Sequence, residues 1–203
     1  FEKPIIVVSN RYNIEHGNPP IGYFDIPVLY EIFNYLTESG YKVIYKRPKN
    51  TEFPLDQNEI NALNHGYRDI IADVEDVGLI TDYDLVKHYD DVILLDDVIK
   101  NHSNGKGGVN IYNEIQLKLF ANSDGFLTMG GGSSLLCSYF EKPNISYFTT
   151  GAECNRSGYF SSDNYYRKLS KNKFYPILDW EKNIKKRNYR DYSEFLNKMK
   201  EVF

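Results

Sequence analysis

Cysteine is scarce. The 203 residues contain two, Cys137 and Cys154, and their spacing matches no metal-binding pattern. That excludes a disulfide framework, fits a reducing compartment and predicts a cytoplasmic location. Cys137 falls inside an apolar helical stretch, where cysteine behaves as a small buried hydrophobe. Long hydrophobic runs are missing too. No stretch approaches the roughly 18 residues of a membrane-spanning helix, and no signal peptide is expected. Positive charge is not in excess. Lys and Arg number 24 against 28 Asp and Glu, a net charge of −4, which argues against a general nucleic-acid partner. Internal repeats and low-complexity tracts are absent. The chain begins with Phe1 and runs at once into an apolar stretch, so it is expected to be part of a longer protein.

What is present is an alternation of strand-like and helix-like segments. "KPIIVVSN" (3–10), "YKVIYKRP" (41–48), "DDVILLDDV" (90–98), "GFLTMG" (125–130) and "NISYFTTG" (144–151) read as strands. Between them, 26–40 places Val28, Leu29, Ile32, Phe33 and Leu36 on one helix face, with Gly40 as its stop. Further helices are predicted at 54–66, 82–89, 111–123 and 134–142. A last amphipathic helix runs over 191–203, with Asp191 as its N-cap. Residues 69–78 read as a short strand or an irregular piece, and those after 151 show no clear periodicity. The alternation predicts an α/β fold, a doubly wound parallel sheet with helices on both faces. It divides into a main domain over 1–180 and a C-terminal helix over 181–203 that would pack on an upstream domain.

The most informative stretch is "SDGFLTMGGGSSLLCSYFEKP" (123–143). Three glycines and two serines separate a strand from a helix, at the sheet edge where such folds bind ligands. Glycines let an anion approach main-chain N–H groups, and Ser133 and Ser134 add hydroxyl donors. Such a corner suits a phosphate or diphosphate without a metal. It fits neither GxxxxGK[ST] nor GxGxxG, which disfavours a P-loop NTPase and a standard dinucleotide site.

"NEIQLKLFANSDGFLTMGGGSSLLCSYF" resembles the C-terminal, nucleotide-sugar-binding half of GT-B glycosyltransferases, and "PIIVVSNRYNIEH" with "VLYEIFNYLTESGYKVIYKRP" is similar to its first β–α–β unit. The resemblance covers roughly residues 3–150. It implies a Rossmann-like domain and metal-independent sugar transfer from a nucleotide-diphosphate donor to a glycan or other hydroxyl acceptor, with no cofactor. It assigns Gly131, Gly132, Ser133 and Ser134 to the diphosphate. Glu114, beside Asn113, would accept hydrogen bonds from the ribose.

Asn10 and Arg11 follow the first strand, so they belong to the same edge. Arg11 suits bidentate pairing with a phosphate. Glu15 and His16, in the first loop, are candidate general bases. "DYD" (Asp82, Asp84) matches the DxD of metal-dependent GT-A transferases, but the pattern is common by chance and helix capping after Thr81 explains it better. Asp90, Asp91, Asp96 and Asp97 would close the ends of a strand. Lys100 and His102 open a Gly-rich loop suited to closing over a donor. Arg156 and the tyrosines of 159–166 offer stacking surfaces.

Overall fold

The computed structural model describes residues 2–10, 23–47, 71–103, 109–148, 163–178 and 190–203. In chain order the elements are β1 (Ile5–Ser9), α1 (Ile26–Glu38), β2 (Lys42–Lys46), β3 (Ile71–Val74), β4 (Gly78–Thr81), α2 (Asp82–Val86), β5 (Val92–Leu94), α3 (Leu95–His102), α4 (Val109–Ala121), β6 (Gly125–Met129), α5 (Gly132–Ser138), β7 (Asn144–Phe148), α6 (Tyr165–Leu169), β8 (Phe174–Leu178) and α7 (Ser193–Val202). Six strands form one sheet in the order β5-β2-β1-β6-β7-β8, every neighbouring pair parallel. Renumbered within the sheet, this is 3-2-1-4-5-6, the doubly wound order of dinucleotide-binding folds. The α/β Rossmann-like class predicted above is therefore present. The order reverses between β1 and β6, so the switch point, where such folds bind ligands, lies at their carboxyl ends.

Both faces of the sheet are covered, which explains why β1 is apolar from Ile5 to Val8. One face presents Ile6, Val8, Val43, Tyr45, Leu127, Met129, Ile145 and Tyr147 to α1 and α7. The other presents Ile5, Val7, Ile44 and Phe126 to α3, α4 and Cys137 of α5. α1 lies on the first face through Leu29, Ile32, Phe33 and Leu36, all fully buried. Gly40, at φ +86°, ends the turn that follows it.

Several boundaries differ from those expected from the sequence. The predicted strand over 90–98 stops at Leu94, and a helix starts at Leu95. Asp96 and Asp97 sit in the first turn of α3, where the helix dipole favours negative charge. Residues 71–81 form an antiparallel hairpin, β3–β4. α6 and the sixth strand lie in the stretch without periodicity. β8 is a sheet-edge strand, where Pro176 is tolerated. α7 begins two residues after Asp191, whose carboxylate still accepts from Ser193 N at 3.0 Å. Its apolar side rests on this same sheet: Phe195 and Met199 are fully buried, and Tyr41 OH donates to Phe203 O. The helix predicted over 54–66 lies outside the described residues. No helix among the described residues is long and apolar enough to cross a membrane.

Cys137 is buried under α5, and burial pushes its thiol well above the ordinary range. Peptide-resolved mass spectrometry after native N-ethylmaleimide treatment is expected to find Cys137 unmodified, and labelled only in denaturant. Native labelling would mean that α5 lifts off the sheet.

Candidate functional site

The three glycines have three different reasons. Gly130 follows β6, and a Cβ there would lie 2.4 Å from the Phe148 ring, so it answers a packing demand. Gly131 has φ +124°, a backbone conformation that L side chains rarely adopt. Gly132 is exposed, and a Cβ there would meet nothing within 4 Å. Only this third glycine leaves main chain open to a ligand. It stands at the first position of α5, at the carboxyl end of β6 and beside the switch point.

The registers align a polar row under this corner. Lys46 of β2 pairs with Ser9 of β1, Ser9 with Thr128 of β6, and Thr128 with Ser146 of β7. By strand alternation all four share the face that carries α5. The rung before it is Ile44, Val7, Phe126 and Asn144, mostly apolar. Ser9 is short, so the Lys46 side chain crosses β1. Its Nζ donates to Ser133 Oγ at 3.3 Å and stands 5.9 Å from the centroid of the Phe120 ring. A cation, a half-buried hydroxyl and an open glycine thus meet at the switch point. Lys46 was not among the residues expected from the sequence; its only signal was a basic pair, Lys46 and Arg47, at a strand's end.

The two serines of the corner face opposite ways. Ser134 is fully buried. Its Oγ lies 2.7 Å from Ser146 Oγ, so its hydroxyl is engaged beneath α5 and not at the open edge. Ser133 is the one turned toward Lys46.

The start of α1 is where a dinucleotide fold would hold its diphosphate. Here Asp25, the N-cap, puts a carboxylate at that end. Arg190 Nη1 donates to Asp25 Oδ1 at 3.2 Å and to Tyr23 O at 2.6 Å, while Tyr192 OH donates to Asp25 Oδ2 at 2.8 Å. Burial pushes the Tyr192 phenol upward, and the neighbouring Asp25 charge adds to it, so this hydroxyl remains a donor at neutral pH. The clasp ties the entry of α7 to the entry of α1, and its carboxylate disfavours an anion there.

Asn10 is fixed at the end of β1. Its Oδ1 accepts from Phe24 N at 2.9 Å, and its Nδ2 donates to Tyr45 OH at 3.0 Å. Tyr45 OH donates to Asp82 Oδ2 at 2.7 Å, and Arg47 Nε lies 3.0 Å from the same oxygen. Asp82 therefore belongs to a buried ion pair. Asp84 accepts from Lys87 Nζ and Thr81 Oγ1, and Thr81 Oγ1 accepts from Asp84 N. The DxD reading does not fit these contacts, and the capping reading does. Among the described residues, no group of three His, Cys, Asp or Glu could hold a metal ion.

Asn113 and Glu114 are exposed on α4, where Glu114 accepts from Lys118 Nζ one turn on. His102 lies in the last turn of α3, its Nδ1 2.7 Å from Val98 O. It lines a groove of about 770 Å³ with Lys3, Ile115 and Asp124, at the opposite, amino-terminal edge of the sheet. Lys100 belongs to the same last turn of α3. Tyr165 is exposed, and Tyr166 stacks on Phe174 within the core. Arg11, Glu15, His16, Arg156 and 159–162 lie outside the described residues. No family model matches this chain, no curated protein matches it, and no solved structure matches it.

Proposed function

We propose that this chain is the donor-binding part of a glycosyltransferase that moves a sugar from a nucleotide diphosphate to a glycan or other hydroxyl acceptor without a metal. The observation that carries the reading is the meeting of Lys46 Nζ, Ser133 Oγ and open Gly132 at the switch point. A leaving diphosphate develops negative charge, and preorganised donors and a cation stabilise it as it forms. Lys46 supplies the counter-charge, Ser133 a hydroxyl, and Gly132 the close main-chain approach. The clasped start of α1 turns the anion toward β6, in keeping with the GT-B resemblance. Glu114 is the proposed ribose acceptor and must release Lys118 to act. Arg11 remains the proposed partner of a phosphate, and Glu15 and His16 the proposed general bases.

The test is calorimetric titration with UDP, GDP and dTDP, in EDTA and in Mn²⁺. At least one nucleotide is expected to bind equally well in both. Losing charge-assisted contacts of about 1.5–3 kcal/mol through Lys46→Ala with Ser133→Ala is expected to weaken it by about tenfold or more. No binding, or unchanged affinity in the double variant, would sink the reading. Strict Mn²⁺ dependence would point to a metal-bound donor, and binding without donor hydrolysis or transfer to a non-catalytic module.

A further inference from the structure

Beneath the corner lies a ring of buried hydrogen-bonding side chains that the proposed donor never touches. Ser146 Oγ donates to Ser134 Oγ at 2.7 Å and lies 2.9 Å from Thr128 Oγ1. Thr128 Oγ1 donates to Asn144 Oδ1 at 3.0 Å, and Asn144 Nδ2 donates to Ser134 O at 2.9 Å. Ser138 Oγ, one helical turn on, also donates to Ser134 O, at 3.0 Å. All five residues are fully buried.

Stability alone does not call for such a ring. Matched apolar groups of the same shape are often as stable as a buried hydrogen-bonded pair. Apolar packing, however, tolerates sliding, whereas hydrogen bonds fix direction and distance. The ring joins two strands to the first turn of α5 and meets that turn at both its hydroxyl and its carbonyl. Thr128 and Ser146 also belong to the rung that carries Lys46. The same rung therefore sets the cation and the height of the corner above the strand ends.

We propose that Ser146 and Thr128 are positioning residues. Acting through Ser134, they hold Ser133 and the open Gly132 main chain in register with Lys46, so the two serines divide the work: Ser133 meets the diphosphate and Ser134 anchors the corner. This rests on the proposed diphosphate site.

The test compares the wild type with Ser146→Ala, Ser146→Thr, Thr128→Val and Ser133→Ala. Inorganic pyrophosphate is titrated calorimetrically in EDTA, and each variant's thermal unfolding is measured alongside. Ser146→Ala is expected to weaken pyrophosphate roughly tenfold, a loss in scale with a small misplacement of binding groups, while unfolding within a few degrees of the wild type. Ser146→Thr keeps the hydroxyl on a residue suited to strands and is expected to restore affinity. Thr128→Val, which is close in shape, removes the other link and tests the same role should Ser146→Ala fail to fold. Unchanged affinity in Ser146→Ala or Thr128→Val, with Ser133→Ala weakened, overturns the positioning role and leaves the site standing. A wild type that does not bind pyrophosphate overturns both.

Discussion

Replacing Asp82 with Ala is expected to destabilise the fold by about 3–5 kcal/mol, the range for breaking a buried ion pair by removing one partner. Asp82 and Arg47 are 0% and 3% exposed, and their side chains meet at 3.0 Å. Without the carboxylate, Arg47 keeps its charge in a site closed to water, held at 4.2 Å over the Tyr83 ring. Tyr45 loses its acceptor as well. Total stabilities of domains are about 5–15 kcal/mol, so the loss is a large fraction, and urea unfolding followed by circular dichroism will read it. Arg47→Met with Asp82→Leu removes both charges and is expected to recover most of the loss. A loss under about 1 kcal/mol in Asp82→Ala would mean that other groups or water compensate the Arg47 charge.

The same residue gives stability a pH dependence. Burial pushes the Asp82 carboxyl above its ordinary range, and Arg47 and the Tyr45 hydroxyl only partly offset it. The native state therefore holds this proton more tightly than the unfolded chain. Stability from this group falls as pH rises from the unfolded value, about 3.9, to the raised folded value, and is flat above it. Asp82→Asn should abolish that slope.

Phe195→Ala is expected to cost about 3–5 kcal/mol, the range for emptying a buried aromatic site. Phe195 is fully buried. Its ring centroid lies 5.1 Å from that of Phe24 and 5.8 Å from that of Tyr147. Phe24 leads into α1, and Tyr147 stacks at 4.6 Å on Tyr192 of the clasp. The cavity would thus loosen α7, the start of α1 and β7 together. Guanidinium unfolding measures the loss, and limited proteolysis should cut first near 190–203. A variant as stable as the wild type, with an intact tail, would show that α7 merely rests on the core.

Apolar runs bounded by Gly, Pro and polar residues made the sheet and α1 legible, because strands buried on both faces must be apolar throughout. The break at Leu94 was not legible, since an apolar run continues through it and periodicity over nine residues cannot separate a strand from a helix start. β8 was hidden by Pro176 and by its aromatic, half-exposed character at the sheet edge. At the site, the glycine–serine corner announced itself through composition. The difference between Ser133 and Ser134 did not, because adjacent residues of one type diverge only once the helix has a sheet beneath it.

The sequence by itself determined the α/β class, the corner after the fourth sheet strand and the burial of Cys137, since each depends on local composition and period. Tertiary structure alone decided which groups share that corner. Ser9, Lys46, Thr128 and Ser146 lie far apart in the chain, and parallel register brings them into one rung. The sheet also decided that Asp82 answers Arg47 instead of a metal, and that Asp25 closes the first helix end. Register comes from pairing distant strands so that every buried face meets its helices, and no local stretch of sequence contains that condition.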